Sequence, residues 1–264
     1  MAKANLNIPV SGKLGDISMY KMRGVEYLVL RSKGGPTKEQ IKNAPEFVRI
    51  RENMSEFAGF GKTAGKILNA CYGIKHLSDY SFTGTISKIC KLIQKRDETH
   101  VRGERSILLS VHGKVFEGLN TCREHPFDTV VKQSPSCIIS RSDCKATLSF
   151  PEFIPNINLA SPWAIPLYRF IVVLGIVPDM VFGQYGYAPI SIVDSFTEVK
   201  FTPWNFMANG SARQEVEIQV ADAPVLDAGL TLWVSVGIEF GVGITANFVQ
   251  PAKRVGCGKI LMVR

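Results

Sequence analysis

The hydrophobic pattern changes period along the chain, and the change divides it. Residues 13–20 and 25–31 read as two strands around Lys21-Met-Arg-Gly24. Val25, Tyr27 and Val29 are β-formers on one face, while Leu28 and Leu30 make the other face apolar too. A hairpin apolar on both faces cannot stand alone in water; helices, a second module or another copy must cover it. The decapeptide Arg31-Ser-Lys-Gly-Gly-Pro-Thr-Lys-Glu-Gln40 then ends the strand character. Its Thr37 and Gln40 form a capping box that starts a helix.

From there the period is 3.6. A short helix gives way at Asn43-Ala-Pro45 to a second one, in which Phe47, Ile50, Met54, Phe57 and Ala58 recur at helical spacing. Arg49, Glu52, Asn53 and Glu56 fall on the other side, and Gly59 reads as a stop. Two more helices follow over 62–72 and 82–95. In the last, Ile86, Ile89, Cys90 and Ile93 form an inward stripe, and Lys88, Lys91, Lys95 and Arg96 face out. That basic face is a candidate contact for a polyanion such as nucleic acid, or an ordinary wet surface.

After about residue 105 the period falls to 2. Residues 106–112 read as a strand, as do 146–150, 168–174, 190–201, 213–220, 230–239 and 259–263. Val216, Ile218 and Val220 alternate with Glu215, Glu217 and Gln219, and turn chemistry at Asn209-Gly210 and Asp227-Ala-Gly229 separates the runs. The expected fold class is therefore α+β. A helical, basic N-terminal module with a β-hairpin would span 1–110, and an antiparallel β-sandwich, jelly-roll or immunoglobulin-like, would span 111–264.

Charge sharpens the division. The net charge is +8, yet residues 1–115 hold 20 of the 31 Lys and Arg and only 10 of the 23 Asp and Glu. One module can thus meet a polyanion or an acidic protein face. The six cysteines, at 71, 90, 122, 137, 144 and 257, show no CxxC spacing, which suits buried thiols in a reducing compartment. The first ten residues lack a signal-peptide core, and the most apolar segment, 163–183, is broken by Pro166, Arg169, Pro178 and Asp179. Synthesis in the cytoplasm without a membrane span is expected, with the final location open, an assembled particle included.

Catalytic chemistry is hard to find. Gly59-Phe-Gly-Lys-Thr-Ala-Gly-Lys66 fails the phosphate-loop spacing in both registers, because Glu56 stands where one leading glycine should be and Ile67 where the hydroxyl should be. The four histidines, at 76, 100, 112 and 125, form none of the usual zinc pairs. No cofactor, metal or small-molecule substrate is expected, and the chain is not read as an enzyme. Of the ten aromatic residues between Trp163 and Phe206, core filling accounts for many, and a sandwich module this rich in aromatic loops often spends some on a contact.

The opening pattern Gly12-x-x-Gly15-x-x-Ser18-x-Tyr20, then Gly24, Tyr27, Arg31-Ser-Lys33 and Gln40, resembles that of an uncharacterised bacterial, phage-associated protein family. The resemblance implies a bacterial or phage setting and assigns no site residues. Together these features suit a non-enzymatic structural subunit that self-assembles as a filament, shell or virion-like particle. Met19, Val25, Tyr27 and Val29 are its candidate contacts. A nucleic-acid-binding protein using the basic module is the alternative, and an enzyme with a dispersed site is the third class.

Overall fold

The computed structural model describes residues 2–4, 12–22, 25–32, 34–191, 196–221, 226–245 and 248–264. The chain is α+β, with 25% helix and 40% strand, and the strand pairs of its sheets are antiparallel. It forms two compact units, residues 1–51 and 52–264.

The first unit holds a four-stranded sheet of β1 (Ala2–Ala4), β2 (Gly12–Leu14), β3 (Ile17–Lys21) and β4 (Leu28–Ser32), in the order β1-β4-β3-β2. The strand expected over 13–20 is in fact a hairpin. Gly15 takes a left-handed φ of +56°, and Leu14 pairs with Ile17 across the two-residue Gly15-Asp16 turn. After the sheet comes α1 (Lys38–Asn43) with the capping box intact: the Gln40 amide donates to Thr37 Oγ1 (3.2 Å), and the Thr37 amide donates to Gln40 Oε1 (2.7 Å). Arg51 Nη1 satisfies the carbonyls that α1 leaves open, donating to Ile41 (2.8 Å) and Ala44 (2.9 Å). Gly24 and Lys33 of the opening motif lie outside the described residues.

Most of α2 (Val48–Ala70) belongs to the second unit, and the helix runs uninterrupted through the glycines expected to stop it. Gly59 is there for close packing: a Cβ would stand 2.8 Å from the Tyr187 ring. The buried face also differs from the expected one. Glu56, Gly59, Phe60, Thr63, Ala64 and Ile67 are buried, while Ile50, Met54 and Phe57 are exposed. Two polar residues turn inward because the 103–105 loop needs them. Glu56 Oε1 accepts the Gly103 amide (3.1 Å), and Ser55 Oγ donates to the Gly103 carbonyl (2.6 Å).

Next come α3 (Tyr72–Lys75), α4 (Phe82–Gln94), α5 (Leu109–His112) and α6 (Phe127–Val130). The strand expected over 106–112 shrinks to a single bridge between Ile107 and Met180 followed by α5. The Asp179 carboxylate accepts the Ser110 amide (2.8 Å) and hydroxyl (2.5 Å), and so caps that helical turn from 69 residues away. The strands follow: β5 (Ser136–Ser140), β6 (Lys145–Phe150), β7 (Leu167–Pro178), β8 (Met180–Gly183), β9 (Gly186–Pro189), β10 (Thr197–Phe201), β11 (Asn205–Phe206), β12 (Gln214–Gln219), β13 (Leu230–Thr245) and β14 (Phe248–Val263).

The main sheet has the order β10-β7-β13-β14, with β11 on β7; β12, β6 and β5 make a second sheet, and β8 pairs with β9. One face of the main sheet, with Phe170, Val172, Val234 and Val236, shares a core with Ala146, Leu148, Val216 and Ile218 of the smaller sheet. Its other face, with Ile171, Val173, Trp233 and Ile260, packs on Ile67, Ile74, Ile86 and Phe116. Helices and strands therefore share one core across residue 110. The two compact units divide between Arg51 and Glu52.

Candidate association surfaces

The sheet of the first unit is thin. Of its described side chains only Val29 is buried, at 6% exposure, while Leu14 is 70% exposed and Ile17, Tyr20 and Met22 are also exposed. Met19 pairs with Leu30, and Tyr20 with Val29, so Met19 and Val29 face opposite sides of the sheet. Val25 and Tyr27 precede β4 and are half-buried, as is Met19. Met19 and Val29 thus lie on opposite faces of the sheet, and Val25 and Tyr27 in the connection between β3 and β4. Within β4 the expected alternation appears: Leu28 and Leu30 share the face of Met19, and Val29 takes the other.

On α4 the expected faces appear. Phe82, Ile86, Cys90 and Ile93 are buried, and Lys88, Lys91, Lys95 and Arg96 are exposed. None of these four cations forms an ion pair among the described residues.

A third surface, missed in the sequence, lies where α3 meets β10. A cleft of about 620 Å³ is lined by Tyr72, Gly73, Lys75, His76, Val199 and Phe201. Beside it the Arg169 guanidinium lies over the rings of Phe201 (4.1 Å) and Trp204 (4.5 Å). Arg169 Nε donates to Glu239 Oε1 (2.5 Å), and His76 Nε2 lies 3.3 Å from Glu239 Oε2. Burial works against the Glu239 charge, but the hydrogen bonds from His76 and Arg169 outweigh it and hold the carboxyl below its ordinary range. The concentration of aromatics between 163 and 206 was the one signal for this surface. Tyr168, Phe170 and Tyr187 fill cores, and Phe201 and Trp204 build the cleft and its flank.

No His, Cys, Asp or Glu cluster able to hold a metal occurs among the described residues. The six cysteines are free thiols, and burial pushes Cys71 up to about 11 and Cys90 up to about 12, as befits small hydrophobes. No described helix is long and apolar enough to cross a membrane. No protein-family model, curated protein or solved structure matches the chain.

Proposed function

We propose that this chain is a non-enzymatic structural subunit that self-associates through its N-terminal sheet. The observation that supports the reading is that sheet's lack of a core: among its described side chains only Val29 is buried. Each large apolar side chain covered by a second copy would contribute roughly 1.5–3 kcal/mol. A handful offsets much of an association cost of about 4–15 kcal/mol. In this reading the two facing sheets of the second unit act as a small β-sandwich scaffold, of either jelly-roll or immunoglobulin type. The resemblance of the opening hairpin suits a bacterial or phage setting.

Replacing Tyr27 and Val29 with Asp tests the contact. The variant should keep its circular dichroism yet scatter light as a smaller species than wild type. A wild-type chain that is monomeric at tens of micromolar would refute self-association. The second reading, nucleic-acid binding, then leads, favoured by Lys88 and Lys91 on α4 and Lys95 and Arg96 just past it, all exposed and in no ion pair among the described residues. It requires oligonucleotide affinity that falls steeply with salt as counterions cease to be released.

A further inference from the structure

The cleft between α3 and β10 has a feature that the self-association reading does not use. Among the described residues β10 ends the main sheet and ladders only to β7. Ile176 donates its amide to the Phe196 carbonyl (3.0 Å), and Thr202 donates to Phe170 (3.0 Å). In an antiparallel pair such bonds recur at every second residue, so Thr197, Val199 and Phe201 turn their N–H and C=O groups away from β7. No group among the described residues takes up those bonds. β12 packs against β10 without laddering to it, and Lys200 Nζ donates to the Glu217 carbonyl (3.0 Å).

The open backbone row runs beside the cleft. α3 forms the opposite wall, and it sits hard on the sheet because residue 73 is glycine: a Cβ there would lie 2.8 Å from Val173 and 2.9 Å from Val199. Tyr72 is 72% exposed and Phe201 45% exposed, so both offer ring surface to an occupant. The rim charge is positive. Lys75 is exposed and forms no ion pair among the described residues, and His76 stands next to it. Of the nearby carboxylates, Glu239 is already held by Arg169 and His76, and the exposed Glu198 of β10 alternates with Val199 and faces the other side of the sheet.

We propose that this groove binds an extended acidic peptide, which adds to the free edge of β10 as a further strand. Backbone hydrogen bonds to Thr197, Val199 and Phe201 would supply the sequence-independent part of the affinity. Alternate side chains would face the groove. Apolar ones would rest on Tyr72, Val199 and Phe201, and a carboxylate would reach Lys75. Exposed rings beside cations also stack nucleotide bases. The unpaired strand edge favours a peptide, because nucleic acid has no matching ladder of donors and acceptors.

The test is to pan a random dodecapeptide phage library on the full chain and titrate the synthesised consensus peptide by fluorescence anisotropy. The expected consensus alternates apolar with acidic residues. Val199→Pro removes an outward N–H and leaves the β7 ladder intact, and should weaken the peptide at least about tenfold. Lys75→Glu, at an exposed position, should weaken it similarly and shift the selected peptides toward Lys and Arg; this variant carries the test should the proline disturb folding. No enriched consensus, a consensus that binds both variants as tightly as wild type, or displacement of the peptide by a dT oligonucleotide would each overturn the proposal. Because the groove lies in the second unit, its readout is separate from the size of the Tyr27/Val29 variant.

Discussion

At the scale of single residues, the glycines divide into those that hold helix against sheet and those that merely weaken a helix they lie within. Gly175 belongs to the first kind: a Cβ would lie 2.6 Å from Ala70 Cβ and 2.7 Å from Ala70 Cα, and the backbone cannot swing aside. Gly61 belongs to the second, in the middle of α2 with nothing within 4 Å of a built Cβ. Gly175→Ala should therefore lower stability by about 1–3 kcal/mol through overpacking. Gly61→Ala should raise it by about 0.5–1 kcal/mol by restricting the unfolded chain and improving helix propensity. Urea denaturation of the two variants reads both signs at once; a destabilised Gly61→Ala would mean that this face of α2 is covered. Neither role was legible in the sequence. A glycine beside a basic run looks alike whether it ends a helix, wraps a phosphate or admits a tyrosine ring, and only the position of Tyr187 assigns Gly59.

At the scale of elements, sequence and structure agree where burial alone decides and part where a distant partner intervenes. The alternation of β12 and the inward stripe of α4 both appear, because each element has one face in a core. The Thr37–Gln40 box appears because both partners lie within four residues. α2 buries Glu56 and exposes Met54 because the 103–105 backbone, far along the chain, supplies the hydrogen bond that makes burial of a carboxylate tolerable. α5 depends in the same way on Asp179. The cleft is the extreme case, assembled from a four-residue helix and an edge strand. Its neighbouring ion pair joins three elements: Glu239 on β13, Arg169 on β7 and His76 just past α3. Glu239 keeps its charge at lower pH in the folded chain than in the unfolded one. Its stabilisation is therefore present above the ordinary carboxylate range and is lost as pH falls through the lowered folded value. Glu239→Gln should cost about 2–4 kcal/mol at neutral pH, since Arg169 would be left without its counter-charge while only 22% of its side chain is exposed. Denaturation midpoints of wild type and variant should converge as the pH is lowered; a gap that stays constant would show that the charge of Glu239 does not matter.

At the scale of the whole molecule, the two units differ in how they can be stable. The second unit buries β7 and β13, as far as Gly241, on both faces, and these two strands should open only with global unfolding. The first unit, residues 1–51, has a four-stranded sheet but a single buried side chain among those described. A chain of that length is marginal even with a full core. Its order must come from cover, and the two available sources respond differently to dilution. Cover from within the same chain is independent of concentration, whereas cover from a second copy follows mass action. Amide hydrogen exchange separates them. If copies associate through this sheet, amides of β3 and β4 should be protected at high protein concentration and exchange progressively faster on dilution. Those of β7 and β13 should stay protected throughout and serve as the internal standard. Tyr27→Asp with Val29→Asp should give the dilute pattern at every concentration. Protection of β3 and β4 that does not change with dilution would place their cover inside one chain and remove the reason for reading the N-terminal sheet as an assembly contact.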